Sequence, residues 1–157
     1  MWQRGRSKVE NLIETRELER VPASPEMAAR LMTDAAAHLK SAELCIGHDA
    51  AGALQLSYDA VRKFSAALLI LQGLRATVSG GHIAVIGAVK AQFNDTGGMQ
   101  VFGQLHQLRR RRNRSEYPDH RSAATTEQDA QHAINVATSM VEATHRIVNS
   151  GRLGEFE

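Results

Sequence analysis

The sequence predicts an all-α protein, an antiparallel bundle of four to five helices. Three observations predict it. The hydrophobic fraction is 43%, much of it alanine and leucine, while only 4% of residues are aromatic and three are proline; that balance favours helices over strands. Apolar residues recur every three or four positions along much of the chain, the spacing of one helix face. Glycine, proline and small polar clusters break the pattern at short intervals, as the loops of a bundle do. No alternating strand pattern, repeat or long low-complexity segment is visible. At 157 residues, one domain with a real core is expected: a helical arm over 1–23, the bundle over 24–149 and a frayed tail over 150–157.

The elements follow in order. Ser7 to Arg20 is charged, with sparse apolar residues at Val9, Leu12 and Ile13, and reads as a short amphipathic helix or a partly ordered arm. Val21-Pro22-Ala23 breaks it. Ser24 is placed to cap the next helix, with Pro25 at its first position and Glu26 in its first turn. That helix runs to about Ile46 on a stripe of Met27, Leu31, Ala35, Leu39 and Ala42. Gly47 ends it and Asp49 caps the helix that follows. Ala50 to Gly73 is the most apolar segment, and from Phe64 to Leu71 only Ser65 breaks the apolar run, which marks a helix buried on every side. After the loop "RATVSGGH", a helix spans about His82 to Phe93. Asn94 to Gly98 is a turn cluster. A helix resumes near Met99 and ends before Pro118, because the residue preceding a proline is pushed out of the helical region. Thr125 or Thr126 caps the last helix. Its stripe is Ala130, Ala133, Ile134, Ala137, Val141, Thr144 and Val148.

Charge narrows the functional classes. The formal net charge is only +2, so the chain is no polycation and its positive charge is local. Five of the six residues from Arg109 to Arg114 are arginine, the exception being Asn113. A single cysteine, Cys45, excludes an internal disulfide framework and fits a reducing, cytoplasmic compartment. It reads as a small core hydrophobe rather than a nucleophile. No stretch reaches the roughly 18 apolar residues of a membrane span. The N-terminus lacks the apolar run of a secretory signal. The seven histidines are scattered with no HExxH or CxxC-type pair, so neither a metal nor another cofactor is expected. Ser79-Gly80-Gly81-His82 lacks the Lys-Ser/Thr ending of a phosphate loop and reads as a turn.

A helical wheel divides the arginines. With Leu105 at zero, Val101, Phe102 and Leu108 lie within about 60° and define the core side. Arg109 falls at about 40°, Arg112 at about −20° and Glu116 at about 20°, so all three extend the buried stripe. Arg110, Arg111 and Arg114 read as a solvated rim, with Asn113 and Tyr117 on the flank. Unpaired inward charge is costly. Two readings stay open: an Arg112–Glu116 pair four residues apart that locks the bundle, or an anion or RNA-phosphate site in a wet cleft. On the preceding helix, "YDAVRKFSAALL" turns Tyr58 and Val61 inward with Arg62 at the border. Arg62 or Asp59 can complete the charge network around Arg112.

"RRNRSEY", following "YDAVRKFSAALLILQGLR" and "GGH", resembles the HEPN superfamily, and is most similar to its small actinobacterial-type members. The resemblance covers about Pro25 to Val148. It implies a helical bundle that forms a homodimer. It further implies a metal-independent endoribonuclease that uses the RNA 2′-hydroxyl as nucleophile, as in toxin–antitoxin or other defence systems. The implied partners are RNA and a nucleotidyltransferase-type antitoxin. Arg112 matches the motif arginine and Asn113 the polar residue after it. Arg109, Arg110, Arg114 and Arg62 are the expected phosphate contacts, with Glu116 and Asp59 in support. The usual histidine place holds Tyr117, and a tyrosine with a pKa near about 10 cannot exchange protons at neutral pH as a histidine near about 6.5 does. Tyr117 can instead bond a phosphate, stack on a base or accept a nucleotidyl group. The departure also favours a second reading, a non-catalytic module that binds a partner protein or a nucleotide.

Overall fold

The computed structural model of the chain describes residues 4–94 and 100–157. Among these, six helices and two short strands follow in the order α1 (Arg6–Glu14), β1 (Leu18–Arg20), α2 (Pro25–Cys45), α3 (Ala50–Leu71), β2 (Leu74–Ala76), α4 (Gly81–Phe93), α5 (Val101–Glu116) and α6 (Glu127–Asn149). The fold is the all-α bundle that composition and periodicity predict. Residues 95–99, where most of the expected turn cluster and the expected start at Met99 fall, lie outside the described residues.

Local chemistry sets the helix starts. The Ser24 hydroxyl accepts from the Met27 amide, with Pro25 at the first helical position. The Asp49 carboxylate accepts from the Gly52 amide at 2.8 Å. Thr126 and Asp129 form a reciprocal capping box at α6, which satisfies two amides that the first turn would otherwise leave unpaired.

α3 is the central element. It packs most extensively on α2 and α6 and also touches α4, α5 and β2. Twelve of its residues are buried, among them Leu54, Tyr58, Val61, Phe64 and Leu68. The buried stripe of α2 is Ala28, Ala35, Leu39 and Ala42. Ala35, Leu39 and Ala42 are as expected, but Met27, expected on that stripe, is exposed and its neighbour Ala28 is buried in its place, while Leu31 is only partly buried. On α6, Val141 and Val148 are only partly buried, while Val136, Met140 and Ile147 fill the core.

Two expectations are corrected. First, a small antiparallel sheet exists: Leu18 pairs with Ala76, Glu19 with Arg75 and Arg20 with Leu74. Each strand has three residues, too few to produce a legible alternation. Leu18 and Leu74 are buried, as are Val9 and Leu12 of α1, so the N-terminal elements share the main core. Second, the tail at 150–157 does not fray. Phe156 is only 4% exposed, and its amide donates to the Gln72 carbonyl at 2.9 Å. The Arg20 guanidinium donates to the Phe156 carbonyl and lies over its ring. One buried aromatic side chain supplies about 1.5–3 kcal/mol toward holding the terminal segment, beside these hydrogen bonds.

Candidate functional site

The central helix α3 carries one polar stripe. Gln55, Tyr58, Asp59 and Arg62 lie at helical spacings of three and four on α3, which places them on one face. α5 crosses that face. Leu105 and Leu108 anchor it in the core, and the positions that continue their stripe are Arg109 and Arg112. Both are half-buried, on the side that the helical wheel assigns them.

Arg112 is held by α3. Its Nε donates to Gln55 Oε1 at 2.8 Å, and its guanidinium carbon lies 5.7 Å above the Tyr58 ring, within cation–π range. A longer bond of 3.4 Å runs from Arg112 to Asn113 Oδ1. Arg109 differs. Its Nε is buried with no hydrogen-bond partner, and Gln55 Nε2 is likewise buried and unpaired. Two N–H donors therefore lack acceptors beside Arg112, at a typical cost of about 1–3 kcal/mol per buried group.

Asp59 belongs to Arg62. The Arg62 Nε and a terminal nitrogen donate to Asp59 Oδ1 at 3.0 and 2.6 Å. The other carboxylate oxygen lies 2.7 Å from His38 Nδ1 on α2. Burial pushes the Asp59 carboxyl up, but the hydrogen bonds and charge of Arg62 outweigh it and hold the group below the ordinary carboxylate value. Three arginines thus converge with one carboxylate, and that carboxylate is already engaged.

The N-terminus of α4 adds His82. Its Nδ1 shares a hydrogen bond with the Tyr58 hydroxyl at 3.1 Å, and the two rings lie 5.6 Å apart. Desolvation lowers the His82 pKa from its ordinary value, and the charges of Arg62, Arg112 and Arg109 lower it further against the opposing Asp59. Burial raises the pKa of the Tyr58 hydroxyl, while the same arginines partly offset it. Beside His82 and Arg62 a cavity of about 250 Å³ opens between α3, α4 and β2, floored by Leu69, Ile70 and Val85.

The remaining expected site residues lie apart. Arg111 is not part of a solvated rim; it is half-buried and pairs with Asp129 at 3.3 Å, because α6 passes beside that flank of α5. Arg110 and Arg114 are exposed. Arg114, with Arg111 and Arg121, lines a second, wider cavity of about 640 Å³ near the α5–α6 loop. The Arg112–Glu116 pair does not form: Glu116 is the exposed last residue of α5, and Arg112 is drawn instead onto Gln55 and Tyr58. Tyr117 is 73% exposed just past the helix end, and among the described residues no hydrogen bond engages its hydroxyl.

Gln55, His82 and His38 were not assigned to the site from sequence. The amide spacing on α3 was a usable signal for Gln55. Nothing local ties His82 to Tyr58, 24 positions earlier. Among the described residues, no three His, Cys, Asp or Glu side chains converge in a metal-binding group, and no helix is long and apolar enough to cross a membrane.

A family model for the HEPN domain matches residues 28–147. No curated protein and no solved structure gives a significant match.

Proposed function

The chain belongs to the HEPN domain family, and from that membership and the half-buried arginine cluster around Arg112 we propose that it is a metal-independent endoribonuclease acting as a homodimer, in the manner of a toxin or defence nuclease. The observation that carries the reading is the surplus of donors: Arg109 Nε and Gln55 Nε2 are buried without acceptors beside Arg112. With them goes the surplus positive charge of Arg62, Arg109 and Arg112 against one engaged carboxylate, which a phosphodiester balances.

In this mechanism the RNA 2′-oxygen attacks the adjacent phosphorus and the bond to the 5′-oxygen breaks, leaving a 2′,3′-cyclic phosphate. Negative charge builds on the non-bridging oxygens in the transition state. Arg112 and Arg109 bind those oxygens from a half-buried face, where preorganised donors act most strongly. Gln55 orients Arg112 through its side-chain oxygen. Asn113 steadies Arg112, and the Asp59–Arg62 pair borders the arginine cluster. The exposed Arg110 and Arg114 contribute salt-dependent affinity. Tyr117 and Glu116 remain at the exposed end of α5, where they meet RNA or a partner surface, such as a nucleotidyltransferase-type antitoxin.

The test is cleavage of single-stranded RNA in EDTA, wild type beside Arg112→Ala. Removing one preorganised donor costs about 10²–10³ in rate, so the variant should lose at least that much. A folded wild type that binds RNA without cleaving it would favour the second reading, a non-catalytic binding module. The absence of a histidine after Asn113 on α5 is the observation on its side.

A further inference from the structure

A 2′-hydroxyl nucleophile needs a proton acceptor, and α5 does not bring one to the Arg112 face. His106 lies on another flank of α5, beside a cavity lined by Lys8 and Lys90. His120 follows Pro118 in the exposed loop. Tyr117 is largely in water. Two histidines from other elements reach the cluster. His38 is held against the Asp59 carboxylate, on the α2 side of the Asp59–Arg62 pair. His82 shares a hydrogen bond with Tyr58, the ring over which Arg112 lies.

We infer that His82 is the proton acceptor of the reaction proposed at Arg112, taking the 2′-hydroxyl proton at Nε2 while its Nδ1–H donates to the Tyr58 hydroxyl oxygen. The inference rests on the nuclease reading above. The step balances. The 2′-O–H bond breaks and its proton passes to His82 Nε2. The 2′-oxygen bonds to phosphorus as the bond to the 5′-oxygen breaks. The leaving oxygen takes a proton from water, and His82 returns its own to solvent.

The fold holds His82 in place for this role. The Thr77 hydroxyl accepts from the Gly80 amide at 3.1 Å and donates to the Arg16 carbonyl at 2.7 Å. The Thr77 amide donates to the Glu17 carbonyl at 3.0 Å. A Cβ at Gly80 would collide with that same Glu17 carbonyl, so only glycine lets the loop approach so closely. The turn between α1 and β1, which precedes the family match, therefore staples the loop that presents His82. His82 itself is exposed, which leaves Nε2 open to substrate.

The charged groups facing it favour the neutral base. Arg62 comes from α3, and Arg109 and Arg112 from α5. Arg75 of β2 lines the same cavity as His82. Against these stands Asp59 of α3, while the Tyr58 hydroxyl of the same helix shares the hydrogen bond with Nδ1. With its pKa held below the ordinary histidine value, the imidazole is mostly unprotonated at pH 7 and can accept a proton.

The experiment uses the full chain and a labelled single-stranded RNA of mixed sequence in EDTA. It measures single-turnover cleavage across pH, and affinity by fluorescence anisotropy. His82→Gln should cut the rate by about 10²–10⁴, the usual contribution of a positioned acid or base. It should leave RNA affinity within about threefold and abolish the rise of rate with pH that a single base produces. His145→Gln, an exposed histidine on α6, is the control and should cleave normally. Cleavage by His82→Gln within a few-fold of wild type would overturn the assignment and leave the nuclease reading standing. A wild type that binds RNA but never cleaves it would overturn both. An ¹⁵N spectrum of the imidazole nitrogens gives a readout independent of turnover: a free protein with the proton on Nδ1 of His82 supports the assignment, and one with it on Nε2 refutes it.

Discussion

Replacing Arg109 by methionine separates a site built for an anion from a buried structural contact. Methionine keeps a long apolar stem and removes the guanidinium, so packing is largely preserved. In the free protein Arg109 Nε is buried without a partner. Leaving one donor so costs about 1–3 kcal/mol, and half-burial of the side chain argues for the lower part of that range. Repulsion from Arg62 and Arg112 has the same sign. The variant should therefore be more stable than wild type. About 1–1.5 kcal/mol corresponds to a Tm rise of about 2–6 °C for a chain of this size. The assay is thermal unfolding in a non-coordinating buffer, with and without inorganic phosphate. Phosphate binding the native state should raise the wild-type Tm by mass action and raise that of Arg109→Met much less. A fall in Tm for Arg109→Met, with an undiminished response to phosphate, would show that Arg109 is a structural tie and that the arginine cluster is not an anion site.

Three further outcomes are expected. Arg110→Gln and Arg114→Gln should each flatten the salt dependence of single-stranded RNA binding by about 0.7 in log–log slope, the value for one phosphate contact; anisotropy titrations over a salt series would reveal an unchanged slope if these arginines never meet RNA. Phe156→Ala should destabilise the fold by about 3 kcal/mol, the low end for a buried phenylalanine; a change below about 0.5 kcal/mol in urea unfolding, the range of an ordinary surface substitution, would mean that the tail frays after all. His82 carries a folded-state pKa below its unfolded value of 6.5, so the unfolded chain binds the proton first as pH falls. Its contribution is fully present above that value and is lost as pH drops through the folded pKa. Wild type should thus lose more stability than His82→Gln between pH 7.5 and 5.5, and equal losses in paired melts would remove His82 from that linkage.

What the sequence made legible was local. Ser24, Asp49 and Thr126 cap helices through bonds to residues three positions on, and such bonds need no tertiary information. The inward aim of Arg109 and Arg112 was legible because Leu105 and Leu108 fix the wheel of α5. Their partners were not. A spacing of four suggested Glu116 for Arg112, yet Gln55 on another helix, 57 positions away, holds it. Arg111 escaped its assignment to the rim for the same reason, since Asp129 belongs to α6. The β1–β2 pair was invisible because three-residue strands carry no period. His82 looked like a turn residue because its partner Tyr58 lies 24 positions earlier on another helix, and no local spacing joins the two.

The polar stripe on α3 argues against a purely structural role for this cluster. A lock between helices is stable when each buried donor finds an acceptor, and the Asp59–Arg62 pair meets that condition by itself. Arg112 and Arg109 do not need to be there for α5 to pack, because Leu105 and Leu108 already bury that face. Adding two guanidinium groups to a half-buried surface where Arg62 already engages Asp59 costs stability and leaves Arg109 Nε and Gln55 Nε2 unpaired. A polar network left half satisfied in this way is worse for folding than an apolar contact of the same size. Such a deficit of acceptors is expected where the missing partner is a ligand, and the ligand that balances several N–H donors and surplus positive charge at once is a phosphate.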